Sequence, residues 1–455
     1  MLTAGEVLQA SAGELLQGRP DIRIRRISTD TRDIRKGDLF VAIKGEHFDA
    51  HNFLGQAVAG GAVALLISDR TCFVPAGVTV VAVKDTVQAY GDLAGAYRKK
   101  FSRIRVCAVT GSAGKTTTKE MIAAVLGTRF RVLFNKGTEN NHIGVPATLF
   151  KMKSSHQVAV IETGTNHHGE IDRLAAIVGP DVAVFTNVGP SHLEGLGSPD
   201  GVFQEKAALA AHVRDGGLLV VNNDDIRLSR LPGMFPSLRA VKFSVEGASD
   251  IRATGIEISR KGLTFCVGKE SFRLKDPVPG NLYNALAAIA CARELRIPFS
   301  EIRRGLLRFR APAGRQCFHR AGRVTVIDDA YNANPVSFRN AVCTLQMLRP
   351  ARSILVAADM LELGPGAQDL HRQVGEFAAD RKIDILLTCG NLARHIAQGA
   401  AQGAGQTRVV SCSDQQEVLS FLRDNVRPGD AVLVKGSRGM RMENVVKDLL
   451  LFLKG

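Results

Sequence analysis

Short apolar runs rich in β-branched residues recur along the chain, each followed by a stretch whose apolar residues return at helical spacing. Residues 24–27, 39–43 and 63–67 read as strands, with a helix over 52–60 between the last two. At 104–109 a compact apolar strand runs straight into a glycine turn at 110–117. Met121, Ile122, Val125 and Leu126 then repeat with helical period. Further buried-strand patterns lie at 158–161, 182–186 and 218–221, separated by helical stretches. Continuous β-branched runs alternating with helices predict a mostly parallel sheet covered on both faces.

Between 250 and 274 the pattern becomes alternating, broken at Gly255, Gly262 and Gly268, which predicts an antiparallel meander. An alanine-rich helix is expected from Asn284. The stretch 310–314 is turn-like, and beyond it a fresh series begins with strands near 324–327, 354–357, 385–387 and 431–434. This last part has the rhythm of a doubly wound dinucleotide-type domain, although no G-x-G-x-x-G follows its first strand. The expected architecture is α/β in three domains. Residues 1–103 form a small N-terminal α/β domain, 104–312 a central P-loop ATPase-like sheet with its meander, and 313–455 a Rossmann-like domain.

Length agrees, since 455 residues suit two or three domains. Hydrophobic residues make up 45% and charged residues 23%, which excludes a disordered chain. No apolar run reaches the roughly 18 residues that span a bilayer. The first twenty residues carry Glu6 and Glu14 and lack a basic n-region, so no secretory signal is expected. The eight cysteines stand singly with no C-x-x-C pair, a usage that fits a reducing cytosol and predicts a cytoplasmic protein.

A net charge of +15 raises the question of nucleic acid. The excess is spread as +3, +8 and +4 over the three parts. With no Trp and only four Tyr, there are also few rings for bases to stack on. Anionic small-molecule substrates, and no nucleic acid, are the expectation.

The strongest local signal is Gly111, Ser112, Ala113, Gly114, Lys115, Thr116 and Thr117 between a strand and a helix. Such a turn aims successive backbone N–H groups inward, and the helix N-terminus adds positive potential, so phosphates bind there. Lys115 would reach the β- and γ-phosphates and the Thr116 hydroxyl would ligate Mg²⁺. A strict P-loop has one more glycine, where Val109 stands here. In an open parallel sheet ligands lie beyond the carboxyl ends of the strands. Those ends carry Glu162, a carboxylate suited to Mg²⁺, then Asn187 with Ser191 and His192 beyond it, and Asn222. His192 would meet metal or a nucleotide phosphate. On pattern alone, Lys206 reads as a surface lysine of a helix.

Together these motifs resemble the Mur ligases, the ATP-dependent amide-forming enzymes that build the peptide of bacterial peptidoglycan. Residues 28–32, 37–42 and 45–53 resemble that family's uridine-nucleotide segment. The middle part adds 140–146, 162–164, 191–194 and Lys206, and the last part adds 328–335, 359–364 and 435–438. The last three, with Asn-Asn-His-Ile-Gly at 140–144, are similar to the branch that adds D-alanyl-D-alanine. The Asp-Asn-Pro-Arg motif of the diaminopimelate- or lysine-adding branch is absent.

The resemblance implies roles. Lys115 and the loop amides would hold ATP phosphates. Thr116 and Glu162 would hold one Mg²⁺, and His192 and Lys206 the second, with Lys206 carbamylated by CO₂. Asn281 and Asn284 would contact adenine, Arg315, Asp329 and Asn332 would meet ATP from the third domain, and Lys435 would lie near an acyl-phosphate. Lys115, Lys206, His192 and Lys435 would thus be catalytic. Ser28, Asp30, Arg32, Lys44, Gly45, Asn140, Asn141, Tyr331 and Asn334 would bind the substrates, UDP-MurNAc-tripeptide and D-Ala-D-Ala. The implied product is the UDP-MurNAc-pentapeptide precursor, made by a monomer.

Three positions depart from the family pattern: Gly280 where histidine is frequent, Glu205-Lys206-Ala207-Ala208 in place of Ala-Lys-Gly-Glu, and Thr138-Glu139 ahead of Asn140. The nearest alternative is another amide ligase of this family, including the folylpolyglutamate type. In a different class, a P-loop switch protein would carry Asn-Lys-x-Asp, which this chain lacks.

Overall fold

The computed structural model describes residues 2–45, 48–403 and 406–454. Glu46 and His47, within the uridine-like segment, lie outside the described residues. Three large sheets follow one another along the chain, with a two-stranded sheet beside the first, a mixed α/β arrangement among the described residues. The first holds Glu14–Gln17, Thr79–Ala82, Ala62–Ile67, Asp38–Val41 and Arg26–Ser28 in that spatial order, parallel except for Glu14–Gln17. The strand expected over 24–27 is split at Arg25. Its first half, Arg23–Ile24, pairs with Leu2–Thr3 instead of joining the main sheet.

The central sheet has nine strands. From its edge, Val132–Phe134, Val158–Glu162, Arg105–Thr110, Val182–Phe185, Leu218–Asn222, Arg239–Ser244 and Ile251–Ser259 run parallel. Gly262–Val267 and Glu270–Leu274 then close it as the expected antiparallel meander. Gly255 takes φ +55°, where the ladder slips between Thr254 and Glu257, as a bulge requires. The four parallel strands around Arg105–Thr110 are almost wholly buried. Their alternating faces feed two separate apolar cores, one under each helical layer, which is why they read as continuous apolar runs. After Arg105–Thr110 the chain fills one side of it and then the other, so this strand marks the reversal point where such sheets bind ligands.

The third sheet orders Cys317–Ala321, Val324–Asp329, Ala431–Lys435, Ser353–Ala358, Ile385–Cys389 and Arg408–Cys412, with only the first antiparallel. The last strand of the chain thus inserts beside the first parallel one, setting Lys435 opposite Asp329. Helix Thr86–Lys99 couples the first sheet to the middle one. Gly91 and Gly95 on it bring its backbone against Ile177, where an added Cβ at Gly91 would come within 2.8 Å. Tyr97 Oη donates to the Met152 carbonyl at 3.0 Å on the same side. No helix among the described residues is long and apolar enough to cross a membrane.

Candidate active site

The glycine turn leaves Arg105–Thr110 and enters helix Lys115–Leu126 through Gly114 at φ +80°. It is held from the neighbouring strand end. Ala113 N–H donates to Asn187 Oδ1 and Asn187 Nδ2 to the Ala113 carbonyl, both at 2.9 Å. Thr186 Oγ1 donates to the Ala113 carbonyl at 2.7 Å, and Ser112 N–H to the Asn187 carbonyl at 2.9 Å. Asn187, which sequence reasoning noted only as a strand end, is therefore the main brace of the loop. Lys115 Nζ folds back onto the Gly111 carbonyl at 2.7 Å. Enclosure lowers its pKa below the usual lysine value; nearby Arg315 pushes the same way and Glu162 opposes.

Gly111 has φ +150°, and a Cβ there would lie 1.9 Å from Thr186 Oγ1 and 3.2 Å from the Asn187 nitrogen. Gly111→Ala is expected to cost about 2–3 kcal/mol of stability and to weaken nucleoside triphosphate binding at least about tenfold. Denaturant melts and titration calorimetry check both, and a variant that binds normally would contradict the strain.

Beyond the loop, Glu162 ends its strand 1% exposed. Its Oε1 accepts from Thr116 Oγ1 at 3.1 Å and Asn140 Nδ2 at 2.7 Å, while Oε2 is buried with no hydrogen-bond partner. A buried, unpaired carboxylate oxygen beside a hydroxyl is costly on its own and fits a hard divalent cation. Among the described residues no group of three or more histidines, cysteines or carboxylates gathers. A cation here would therefore draw on Thr116, Glu162, phosphate oxygens and water, the usual Mg²⁺ set. Asn135, unnoticed in the sequence, fixes Glu162 by its backbone: Glu162 N–H donates to Asn135 Oδ1 at 2.9 Å and Asn135 Nδ2 donates back at 3.0 Å.

Lys206 departs from the surface lysine that its helical pattern suggests. Helix Pro199–Ala211 turns it inward to 1% exposure. Burial pushes its pKa well below the usual lysine value, Lys115 adds to this, and Glu205 opposes it. The sequence pattern fails here because polar residues do not keep to one face of this helix: Asp200 and Gln204 are exposed, whereas Glu205 and Lys206 are buried with the apolar residues.

A cleft of about 540 Å³, lined by Lys115, Thr116, Glu162 and His192 but not by Lys206, joins the loop to the third sheet. Its walls include Asn281 and Asn284 of helix Gly280–Glu294, then Arg315, Asp329, Tyr331, Asn332, Asn334 and Lys435. The helix begins four residues before the expected Asn284, which places both asparagines on it. Asn284 Oδ1 accepts from Thr118 Oγ1 at 2.9 Å, and its Nδ2 donates to Asn281 at 3.0 Å. Arg315 stacks on Tyr331 at 4.4 Å. Lys435 Nζ donates to Asp329 Oδ2 at 2.8 Å and to the Asn332 carbonyl at 3.0 Å, so the two charges are committed to each other. Burial raises the Asp329 carboxyl against the opposing pull of Lys435.

Among the contacts that hold the third part against the middle one, three side-chain contacts stand at the cleft. Asn334 Nδ2 donates to the Ser112 carbonyl at 3.3 Å, Tyr331 Oη bonds Thr138 Oγ1, and His192 Nδ1 meets Glu362 Oε2 at 2.6 Å. The residue between His192 and Glu362 in this pairing is none; they touch directly, and His192 holds the Glu362 carboxyl below the usual range. Glu362 lies in the 359–364 motif, but no periodicity marks it as a partner of His192.

Ser28, Asp30, Arg32, Lys44 and Gly45 do not line this cleft. Ser28 ends a strand of the first sheet, Asp30 pairs with Arg32 at 2.6 Å and is drawn down to about 2, and Lys44 lies 3.7 Å from Asp49. Asn141 caps the next turn, accepting from Gly144 N–H at 2.9 Å, and borders a second cavity of about 590 Å³ with Lys136, Thr138 and Glu139.

Comparison with known proteins places this geometry. Residues 23–98 match the model described as Mur ligase family, catalytic domain; 109–292 match the Mur ligase middle domain; and 314–438 match Mur ligase, glutamate ligase domain. The chain is 37% identical to the UDP-N-acetylmuramoyl-tripeptide–D-alanyl-D-alanine ligase of Escherichia coli, covering 98% of each chain. It is 35% identical to the Bacillus subtilis ligase of the same name, covering 94% of this chain and 93% of that one. Its fold is similar to a crystal structure of MurF from Acinetobacter baumannii, with a TM-score of 0.91 and 33% identity over 99% of both chains. MurF ligase of Thermotoga maritima, solved in complex with ADP, superposes with a TM-score of 0.85 at 27% identity over 96% of this chain and 99% of that one. Sharing this identity over nearly the whole of its length and theirs, the chain belongs to the Mur ligase family.

Proposed function

We propose that this chain is the ATP-dependent ligase that joins D-alanyl-D-alanine to UDP-MurNAc-tripeptide. The observation that carries the reading is that 328–335 and 359–364, the segments similar to the D-alanyl-D-alanine-adding branch, both border the phosphate-loop cleft. The names of the full-length relatives support it, and the ADP complex of the Thermotoga protein supports ATP as the phosphoryl donor.

A carboxylate is a poor electrophile. The terminal carboxylate oxygen of the tripeptide therefore attacks the γ-phosphorus of ATP, ADP leaves, and an acyl-phosphate forms. The dipeptide amine attacks the acyl carbon and loses its proton, and phosphate departs from the tetrahedral intermediate. Lys115 and the amides of 111–117 neutralise charge on the transferring phosphoryl group. Asn281 and Asn284 face adenine, while Arg315, Asp329 and Asn332 meet the nucleotide from the other wall. Lys435, ion-paired with Asp329, stands by the acyl-phosphate. Thr116 and Glu162 would hold one Mg²⁺, and His192 with a carbamylated Lys206 the other. Bound there, the ions supply Lewis-acid stabilisation of phosphoryl oxygens. Carbamylation itself needs only the neutral amine of Lys206, whose lone pair adds to the carbon of CO₂ as the nitrogen loses a proton.

An acyl-phosphate hydrolyses readily, so the contacts of Tyr331 with Thr138 and Asn334 with Ser112 serve to exclude water. Residues 1–103, with Ser28, Asp30, Arg32, Lys44 and Gly45, would hold the uridine nucleotide. Asn140 and Asn141 would lie along the peptide between that domain and the cleft. We assign 104–312 to ATP binding and 313–455 to the closing domain, in a cytoplasmic monomer.

The test is ADP release with UDP-MurNAc-tripeptide and D-Ala-D-Ala, compared with free diaminopimelate, lysine or glutamate as the amine. Release that requires the dipeptide is expected. Equal release with a free amino acid would point to another branch of the family.

A further inference from the structure

Among the described residues, Glu362 is the one acidic side chain of the third part that reaches a candidate metal ligand of the middle part, and the geometry of that contact is specific. Carboxylate oxygens only accept, so the His192 nitrogen 2.6 Å from Glu362 Oε2 must carry the proton, which makes it Nδ1–H. That leaves Nε2 as the nitrogen turned away from Glu362, and it makes no hydrogen bond among the described residues. Both residues are non-glycine positions in the left-handed region, His192 at φ +51° and Glu362 at φ +63°. Such backbones persist only where the surroundings hold them. Here the two turns hold each other: Glu194 N–H donates to the Glu362 carbonyl at 3.3 Å, and Gly364 takes φ +64° where the turn passes Glu194.

We propose that Glu362 is a positioning residue that fixes the tautomer and orientation of His192 for a divalent cation, and does so only when the third domain has closed. This rests on the reading of His192 as a metal ligand given above. The consequence is a linkage between closure and metal affinity: the second cation is held well only in the closed enzyme, where the acyl-phosphate is also shielded. A carboxylate donated from another domain to a ligating histidine is the outer-shell arrangement that raises ligand basicity and fixes ring orientation.

The experiment is direct Mn²⁺ titration of the full chain with ADP present, followed by electron paramagnetic resonance, for wild type, Glu362→Ala and Glu362→Gln. ADP affinity without metal and the thermal melt are measured alongside. Glu362→Ala should weaken Mn²⁺ binding about tenfold to a hundredfold, with metal-free ADP affinity and the melt unchanged. Glu362→Gln, whose amide oxygen still accepts from Nδ1–H, should recover part of the loss. Unchanged Mn²⁺ affinity in Glu362→Ala would overturn the proposal while leaving the ligase reading intact. So would an equal loss of metal-free ADP affinity, which would assign Glu362 to loop packing. Absence of Mn²⁺ binding by the wild type would overturn both the proposal and the metal assignment beneath it.

Discussion

Replacing Lys115 with alanine is expected to lower ADP release by about 10³-fold, with far-UV circular dichroism unchanged and the fold intact. The ammonium is the only point charge in the loop, and nothing else in the turn can follow the phosphoryl group as charge moves onto the leaving oxygen. Its resting contact, a 2.7 Å bond to the Gly111 carbonyl, is made to a neutral group and is easily exchanged for phosphate. Its pKa is already lowered by enclosure and by Arg315, so the unliganded protein holds it at some cost. Removing it should leave unliganded stability within about 1 kcal/mol of the wild type. The loss should fall on turnover more than on the KM for the uridine substrate, since the proposed reading assigns that substrate to residues of the first domain. Lys115→Arg should recover little, because a planar guanidinium does not replace a compact ammonium. Near-normal ADP release by Lys115→Ala with both peptides present would refute the assignment of this loop to ATP phosphates.

The features legible in the sequence were those written in neighbouring residues. The glycine turn, the strand before it and the helix after it are contiguous, and Glu162 follows a buried run that announces a strand end. The doubly covered parallel strands were legible because both faces are apolar. Arg408–Cys412, with four of its five residues half-buried or exposed, and Cys317–Ala321, exposed at Arg320, lie at sheet edges and carry no such run. Val132–Phe134 is three residues long, too short for any periodicity. The partnerships that escaped notice act across long sequence gaps. Asn187 braces a loop 74 residues away, Asn135 clamps Glu162 at a separation of 27, and Glu362 reaches His192 at a separation of 170. Only the fold brings such partners together.

Lys206 and Lys119 are both fully buried, and the difference between them yields the second large prediction. Lys119 is satisfied: its Nζ donates to the Asn135 carbonyl at 2.5 Å and the Gly137 carbonyl at 2.9 Å, with Glu120 at 3.0 Å. Lys206 has no hydrogen bond or ion pair among the described residues. Its neighbour Glu205 is occupied elsewhere, accepting from Thr165 Oγ1 at 3.1 Å and from the Gly169 and Ile171 N–H groups at 2.7 Å each. An uncompensated ammonium in that position is costly, and the amine is held toward its neutral, nucleophilic form. A chain that needed only packing would place an apolar residue there, whereas a neutral amine can become a carbamate and offer a carboxylate to a cation. Lys206→Ala is therefore expected to lose about 10³-fold in turnover and to regain part of it with acetate or propionate, which place a carboxylate in the vacated space. Lys206→Arg should stay inactive under the same rescue, since its guanidinium is always charged and fills that space. Lys206→Met in CO₂-free buffer should melt no lower than the wild type, because it removes a buried amine that has no hydrogen-bond partner among the described residues while keeping most of the volume. A Lys206→Ala enzyme with full activity would end the carbamate assignment, and rescue of Lys206→Arg to the same degree would show that the acids act elsewhere.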